Sequence, residues 1–247
     1  MKTLQIYEDP VELNRDQHRT LKLAPVRAAY AFARNTNSVM ISANELAAAA
    51  LDFPCVFVPS VDGYALAALQ GLREEENLFV QPDGTWTPNI YQPAFFRRYP
   101  FVLGENETKT NFSVYLDRAY AGFDTETGDP LFDADGKETQ LLEDVKKFLV
   151  DYRNQILASS EFANHMASLD LLQDGAIEYK LNDGEVISLN GFKTIDETKL
   201  RALDPAALKA LAVRGYLGLI YAHLLSINQV QRLAQRLDDR RAQEAAA

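Results

Sequence analysis

The chain changes its period near Thr139. From there Leu141, Leu142, Val145, Phe148, Leu149 and Tyr152 recur at three- and four-residue steps, the spacing of one buried helix face, and this predicts a helix of about 18 residues. Upstream, the apolar residues come in short extended runs cut by proline and glycine. "PCVFVP" at 54–59 reads as a compact strand bounded by prolines, and "NLFVQPDGTWT" at 77–87 as strand, Asp-Gly turn, strand. A sheet-forming half followed by a helix-rich half, with no alternation of β and α units, limits the fold to α+β.

The remaining segments fill in that plan. A polar lead-in over residues 1–24 holds a short strand at 4–7, residues 39–41 are extended, and "ANELAAAAL" at 43–51 is a short helix capped by Ser42 or Asn44. Residues 97–105 and 111–117 pair as a hairpin. "LASS" separates the first long helix from a second at 160–171. The alternation in "AIEYKLNDGEVISL" (176–189) makes a hairpin around its Asp-Gly turn, and 191–196 adds a third strand. Asp204 and Pro205 cap and open a helix. A longer helix runs from Tyr216, with Leu217, Ile220, Leu224, Ile227, Val230, Ala234 and Leu237 inward, before a fraying tail. The expectation is a single domain over 1–247: antiparallel hairpins in the N-terminal half with helices packed on them, a small hairpin unit and long C-terminal helices. A boundary near residue 138 divides it into a mainly β lobe (about 1–138) and a lobe of helices plus a hairpin (139–247).

Charge narrows the function. The net charge is −10, and residues 117–138 alone supply −5, seven acids against Arg118 and Lys137. That field repels phosphate backbones, so nucleic acid and anionic lipid surfaces are disfavoured partners. No apolar run approaches the roughly 20 residues needed to span a bilayer, so membrane insertion is not expected. The polar N-terminus lacks the apolar core of a signal peptide, and the expected location is cytoplasmic. The single cysteine, Cys55, excludes an internal disulfide and lies in a strand-like run as a buried, inert thiol. Asn106 and Asn111 stand in sequons that, without a signal peptide, are chance matches.

No nucleotide-binding glycine loop or nucleophile elbow is present. The acidic "DPLFDADGKE" puts leucine where a calcium loop needs ligands, and the three histidines fall in no metal-binding spacing. No metal and no cofactor is expected. His223 lies beside the apolar stripe of the last helix. It and Tyr221 are the two candidates for proton transfer should the chain be an enzyme, and a core-edge histidine is the plainer reading. Whether the chain is an enzyme stays open, with a non-catalytic protein favoured.

"YQPAFFRRYPFVL" at 91–103 sets two arginines among aromatic rings. Read as a strand over 97–103, the segment sends Arg97 and Arg98 to opposite faces, so one is paired or stacked and the other meets water. An arginine held among Trp86, Tyr91 and Phe95 suits a carboxylate or a planar ligand, because the guanidinium is a rigid donor fork. Arg97, Arg98, Tyr91 and Trp86 are therefore the candidate ligand-binding residues. The plainer alternative is an arginine packed on rings with its head group paired.

"YAFARNTNSVMISANELAAAALDFPCVFV", "LQGLREEENLFVQPDGTWTPNIYQPAFFRRYPFVL", "PLFDADGKETQLL" and "LIYAHLLSINQVQRLAQR" together resemble the bacterial SapC family, in order and over roughly residues 18 to 237. Family members are described as surface-layer-related, and the resemblance carries no catalytic residues with it. It implies an accessory or binding protein with an unidentified small-molecule, peptide or protein partner. Two alternatives accompany it: an enzyme, or enzyme accessory, in peptide or metabolite modification near halogenase- or cupin-type oxygenases, and a surface-layer structural subunit.

Overall fold

In the computed structural model, which describes residues 6–105 and 112–245, the first element is β1 (Pro10–Glu12), followed by the single turn α1 (Arg15–His18) and β2 (Lys22–Leu23). Next come β3 (Ser38–Met40), a 3₁₀ turn at Ala43–Glu45 leading into α2 (Leu46–Ala49), then β4 (Cys55–Ser60) and β5 (Gly63–Leu69). A one-turn helix α3 (Ala94–Arg97) precedes β6 (Phe101–Glu105) and β7 (Phe112–Asp117), which pair antiparallel as expected. The asparagines of both sequons fall outside the described residues, as does half of the expected strand at 4–7. Ile6 and Tyr7, its last two residues, are buried outside any strand.

Three antiparallel sheets result. β1 adds to the β6–β7 hairpin in the order β1-β7-β6, so the lead-in is less polar coil than expected. β8 (Phe123–Asp124) and β9 (Asp129–Pro130) flank β2 in a small second sheet. The main sheet has the order β10-β11-β4-β5-β3, where β10 (Leu172–Lys180) and β11 (Val186–Ile195) form the hairpin read from the Asp-Gly turn. Residues 191–196 add no separate strand, because β11 runs straight on through Ile195. Val80 and Trp86 make a single bridge around their Asp-Gly turn instead of a hairpin of two strands. The fold is α+β.

The helix begun at Thr139 is longer than expected. α4 (Gln140–Ser168) is continuous over 29 residues, about 44 Å, and "LASS" does not break it. Ser159 and Ser160 turn their hydroxyls back onto the carbonyls of Gln155 and Ile156, at 2.5 and 3.2 Å, which lets serine sit inside a helix. α4 consequently serves two cores. Leu142 and Leu149 pack with Phe101, Val114 and Leu116 of the β6–β7 sheet, while Phe162, Ala163 and Met166 pack on the main sheet.

After α5 (Glu197–Ala202), α6 (Pro205–Val213) is capped by the Asp204 carboxylate and opened by Pro205, as read. The last predicted helix is two, α7 (Tyr216–Ser226) and α8 (Gln229–Ala245), interrupted at Ile227 and Asn228. Its tail is helical through Ala245. Arg240 donates to the carbonyls of Asn77 and Val80 at 2.8 and 2.9 Å, and Arg241 pairs with Asp183 and Glu185.

Candidate functional site

The segment 91–103 is not the strand assumed above. Pro93 stands as the N-cap of α3, and Arg97 and Arg98 lie in its single helical turn, so the strand begins only at Phe101. Adjacent positions on a helix also point apart. The two arginines accordingly meet different surroundings.

Arg98 is inside, only 6% exposed. Its guanidinium lies 4.2 Å from the centre of the Phe95 ring, 5.4 Å from Tyr152 and 6.0 Å from Tyr7. Burial pushes the Tyr7 phenol up to about 12, with the Arg98 charge pulling the other way, and Tyr152 is raised for the same reasons. These rings fasten the N-terminal segment and α4 to α3, since Tyr7 also donates to the Phe101 carbonyl at 2.8 Å. Close by, the fully buried Asp117 accepts the backbone N–H groups of Glu8 and Asp9 and the Tyr99 hydroxyl, all within about 3 Å.

Arg97 has 43% of its side chain exposed. Its Nε donates to the Gln92 carbonyl at 3.0 Å, its Nη2 lies 3.5 Å from the Tyr91 hydroxyl, and its guanidinium sits 5.5 Å from the Phe148 ring centre. Beneath it is a carboxylate that sequence reasoning missed. Glu45 accepts Tyr91 Oη and the Ala94 N–H on Oε1, at 2.9 and 2.7 Å, and the Ser42 N–H and hydroxyl on Oε2, at 2.9 and 3.0 Å. Four donors let a carboxylate be buried with its charge. Arg97 Nη2 is 4.0 Å from the same Oε1, a long contact to an oxygen already engaged. Burial first, then Glu45, pushes the Tyr91 phenol up to about 12. The available clue was Ser42-x-x-Glu45, a capping box, whose glutamate here also reaches a second helix start.

Trp86 belongs to the core. Its Nε1 donates to the Ile90 carbonyl at 3.1 Å, and its ring lies 5.3 Å from Tyr30 and 5.6 Å from Phe96. Arg97 and Tyr91 thus come together at a surface, whereas Arg98 and Trp86 are built into packing.

Tyr221 and His223 are not brought together. Tyr221 faces outward on α7 and His223 is fully buried. His223 Nε2 accepts the Ile195 N–H at 3.0 Å, which places its proton on Nδ1. Desolvation, only partly offset by the Cys55 backbone, depresses its pKa to about 4. Cys55 is buried beside it, its thiol pushed up to about 12 by burial. Among the described residues, no three side chains of metal-binding type converge. A cleft of about 360 Å³ lies between β7 and α4, floored by Leu103, Val114, Phe132 and Val150, and none of the expected site residues lines it.

This is an α+β protein whose aromatic-arginine segment joins two cores and leaves one oriented guanidinium at the surface. The SapC family model matches residues 13–233, and the chain belongs to the SapC family. No curated protein and no solved structure matches it.

Proposed function

We propose that the chain is a non-catalytic accessory protein of cytoplasmic location that binds a carboxylate-bearing small molecule or peptide at Arg97. One observation carries this reading: of the two adjacent arginines, Arg97 alone is substantially exposed, and its guanidinium is already held by the Gln92 carbonyl, Tyr91 and Phe148. A pre-oriented fork loses less freedom on meeting a carboxylate than a mobile side chain does. Tyr91 and the Phe148 ring supply walls.

The surface-layer connection and the association with oxygenase or halogenase chemistry fit the same role, that of a protein which presents or receives a peptide or metabolite without transforming it. An enzyme using Tyr221 or His223 finds less support, since His223 is fully buried and engaged by the Ile195 N–H, and Tyr221 faces outward. Native mass spectrometry of protein purified from its own host tests the reading. A bound carboxylate-bearing species lost in Arg97→Ala supports it, and a bound species retained by that variant overturns it. An unliganded mass that stays unliganded when acidic peptides and metabolites are titrated also overturns it.

A further inference from the structure

Between Asp204 and Asp238 there is no acidic residue: across 33 consecutive positions the only charges are Lys209, Arg214, Arg232 and Arg236. In a chain of net charge −10 this is a local reversal of sign. The stretch forms α6, α7 and the first turns of α8. On α7, Ile220, His223 and Ser226 face inward, which leaves Gly218, Tyr221 and Leu225 on one outward stripe at i, i+3 and i+7.

That outward side is apolar. Val213 at the end of α6 is 79% exposed, Leu225 68% and Tyr221 48%. Leu51, also exposed, follows Ala50, whose carbonyl accepts from Gln229 Nε2 at 3.3 Å at the far end of α7. Gly215, at φ 73°, turns the chain from α6 into α7. A Cβ added at Gly215 or Gly218 would meet nothing within 4 Å, so this corner projects outward and is not the wall of a groove. A partner helix or peptide is usually gripped by a groove, whereas a projecting apolar corner with cations beside it suits the headgroup layer of a bilayer. The α6–α7 corner holds a stretch of the length and apolar composition of a membrane span, but the path bends by 90°. Such a shape lies along a surface.

We propose that the α6–α7 corner docks on the anionic face of a lipid bilayer. Val213, Tyr221 and Leu225 enter the headgroup region, and Lys209 and Arg214 meet the lipid phosphates with their stems along the apolar layer. Asp196 and Glu197 line a hollow with Leu224 and Ile227 towards the end of α7, but Asp196 caps α5 and Glu197 pairs with Arg201; charges farther off than a Debye length of about 8 Å at physiological salt are screened.

Flotation of the full chain with vesicles of phosphatidylcholine alone, and of phosphatidylcholine mixed with phosphatidylglycerol, tests this. Binding is expected to the mixed vesicles only and to weaken with salt. Leu225→Asp and Arg214→Glu should each lower the partition by roughly tenfold without changing the melting temperature. Val186→Asp, an exposed apolar site on β11, should leave it unaltered. Absence of binding to mixed vesicles, equal binding to neutral ones, or an equal loss in Val186→Asp overturns the proposal. So does a dimer in sedimentation that Leu225→Asp dissolves, which would assign the corner to a second copy of the chain.

Discussion

His223 Nε2 accepts the backbone N–H of Ile195 at 3.0 Å in the gap where two strands of the main sheet have parted. β11 and β4 pair only at Lys193 and Phe57. Had that ladder continued, Ile195 would face Cys55. α7 fills the gap, with His223 on Ile195 and the Ser226 hydroxyl accepting the Cys55 N–H at 3.0 Å. Two side chains three residues apart on one helix thus replace strand-to-strand bonds, and buried backbone groups that a split sheet would strand are satisfied.

This role makes stability depend on pH. The His223 pKa is about 4 when folded, against 6.5 for an ordinary histidine, so between these values the unfolded chain binds a proton that the folded chain does not. Its contribution is therefore full above pH 6.5 and is lost progressively as pH falls towards 4, by about 3 kcal/mol in total. His223→Gln keeps an acceptor for Ile195 and cannot titrate. Denaturant unfolding should show the free-energy gap between wild type and variant shrinking from pH 7 to pH 5. A constant gap would mean that His223 does not titrate across that range.

Arg98→Ala and Arg97→Ala should separate fold from binding. Removing Arg98 withdraws a buried side chain from contact with Tyr7, Phe95 and Tyr152, and a loss of about 3 kcal/mol is expected, which lowers the melting temperature by roughly 6–12 °C. Arg97→Ala should leave it within about 2 °C, because the lost contacts are half solvated. Calorimetric melting of both variants decides it. Equal falls would mean that both arginines serve the fold.

Glu45→Gln should be more disruptive than its place in an alanine-rich helix implies. The amide can offer one acceptor oxygen where the carboxylate offered two, and its NH₂ would face donors from either Ser42 or Tyr91 and Ala94. A loss of about 2–4 kcal/mol is expected in denaturant unfolding. A change below about 1 kcal/mol would show that solvent already shares this carboxylate.

Local rules made some elements legible and tertiary contacts hid others. Asp204-Pro205 opens α6 as read, and Asn-Asp-Gly closes the β10–β11 hairpin, because cap and turn chemistry is settled within a few residues. The break between α7 and α8 was invisible because Ile227 and Val230 continue the apolar spacing across it. The strand read over 97–103 starts only at Phe101, because Pro93 fits an N-cap and leaves room for one helical turn before it. The paired arginines could be read as having unlike surroundings from adjacency alone. Which of them is buried depends on Tyr152 and Tyr7, far away in sequence. Glu45 was overlooked because its partners Tyr91 and Ala94 lie more than forty residues on.

Two glycines give opposite predictions. Gly71 follows β5, its N–H bonded to the Asn37 carbonyl at 3.0 Å, and a Cβ there would overlap the Glu76 carbonyl oxygen. Backbone on both sides leaves little room to yield, so Gly71→Ala should lose about 2–3 kcal/mol. Gly218 sits within α7 with helical geometry and open space where a Cβ would stand. Gly218→Ala should stabilise by about 0.5–1 kcal/mol, since alanine restricts the unfolded chain and favours helix. Parallel melting curves read both. A Gly218→Ala variant that melts lower than wild type would mean that the outer face of α7 is packed against something in solution.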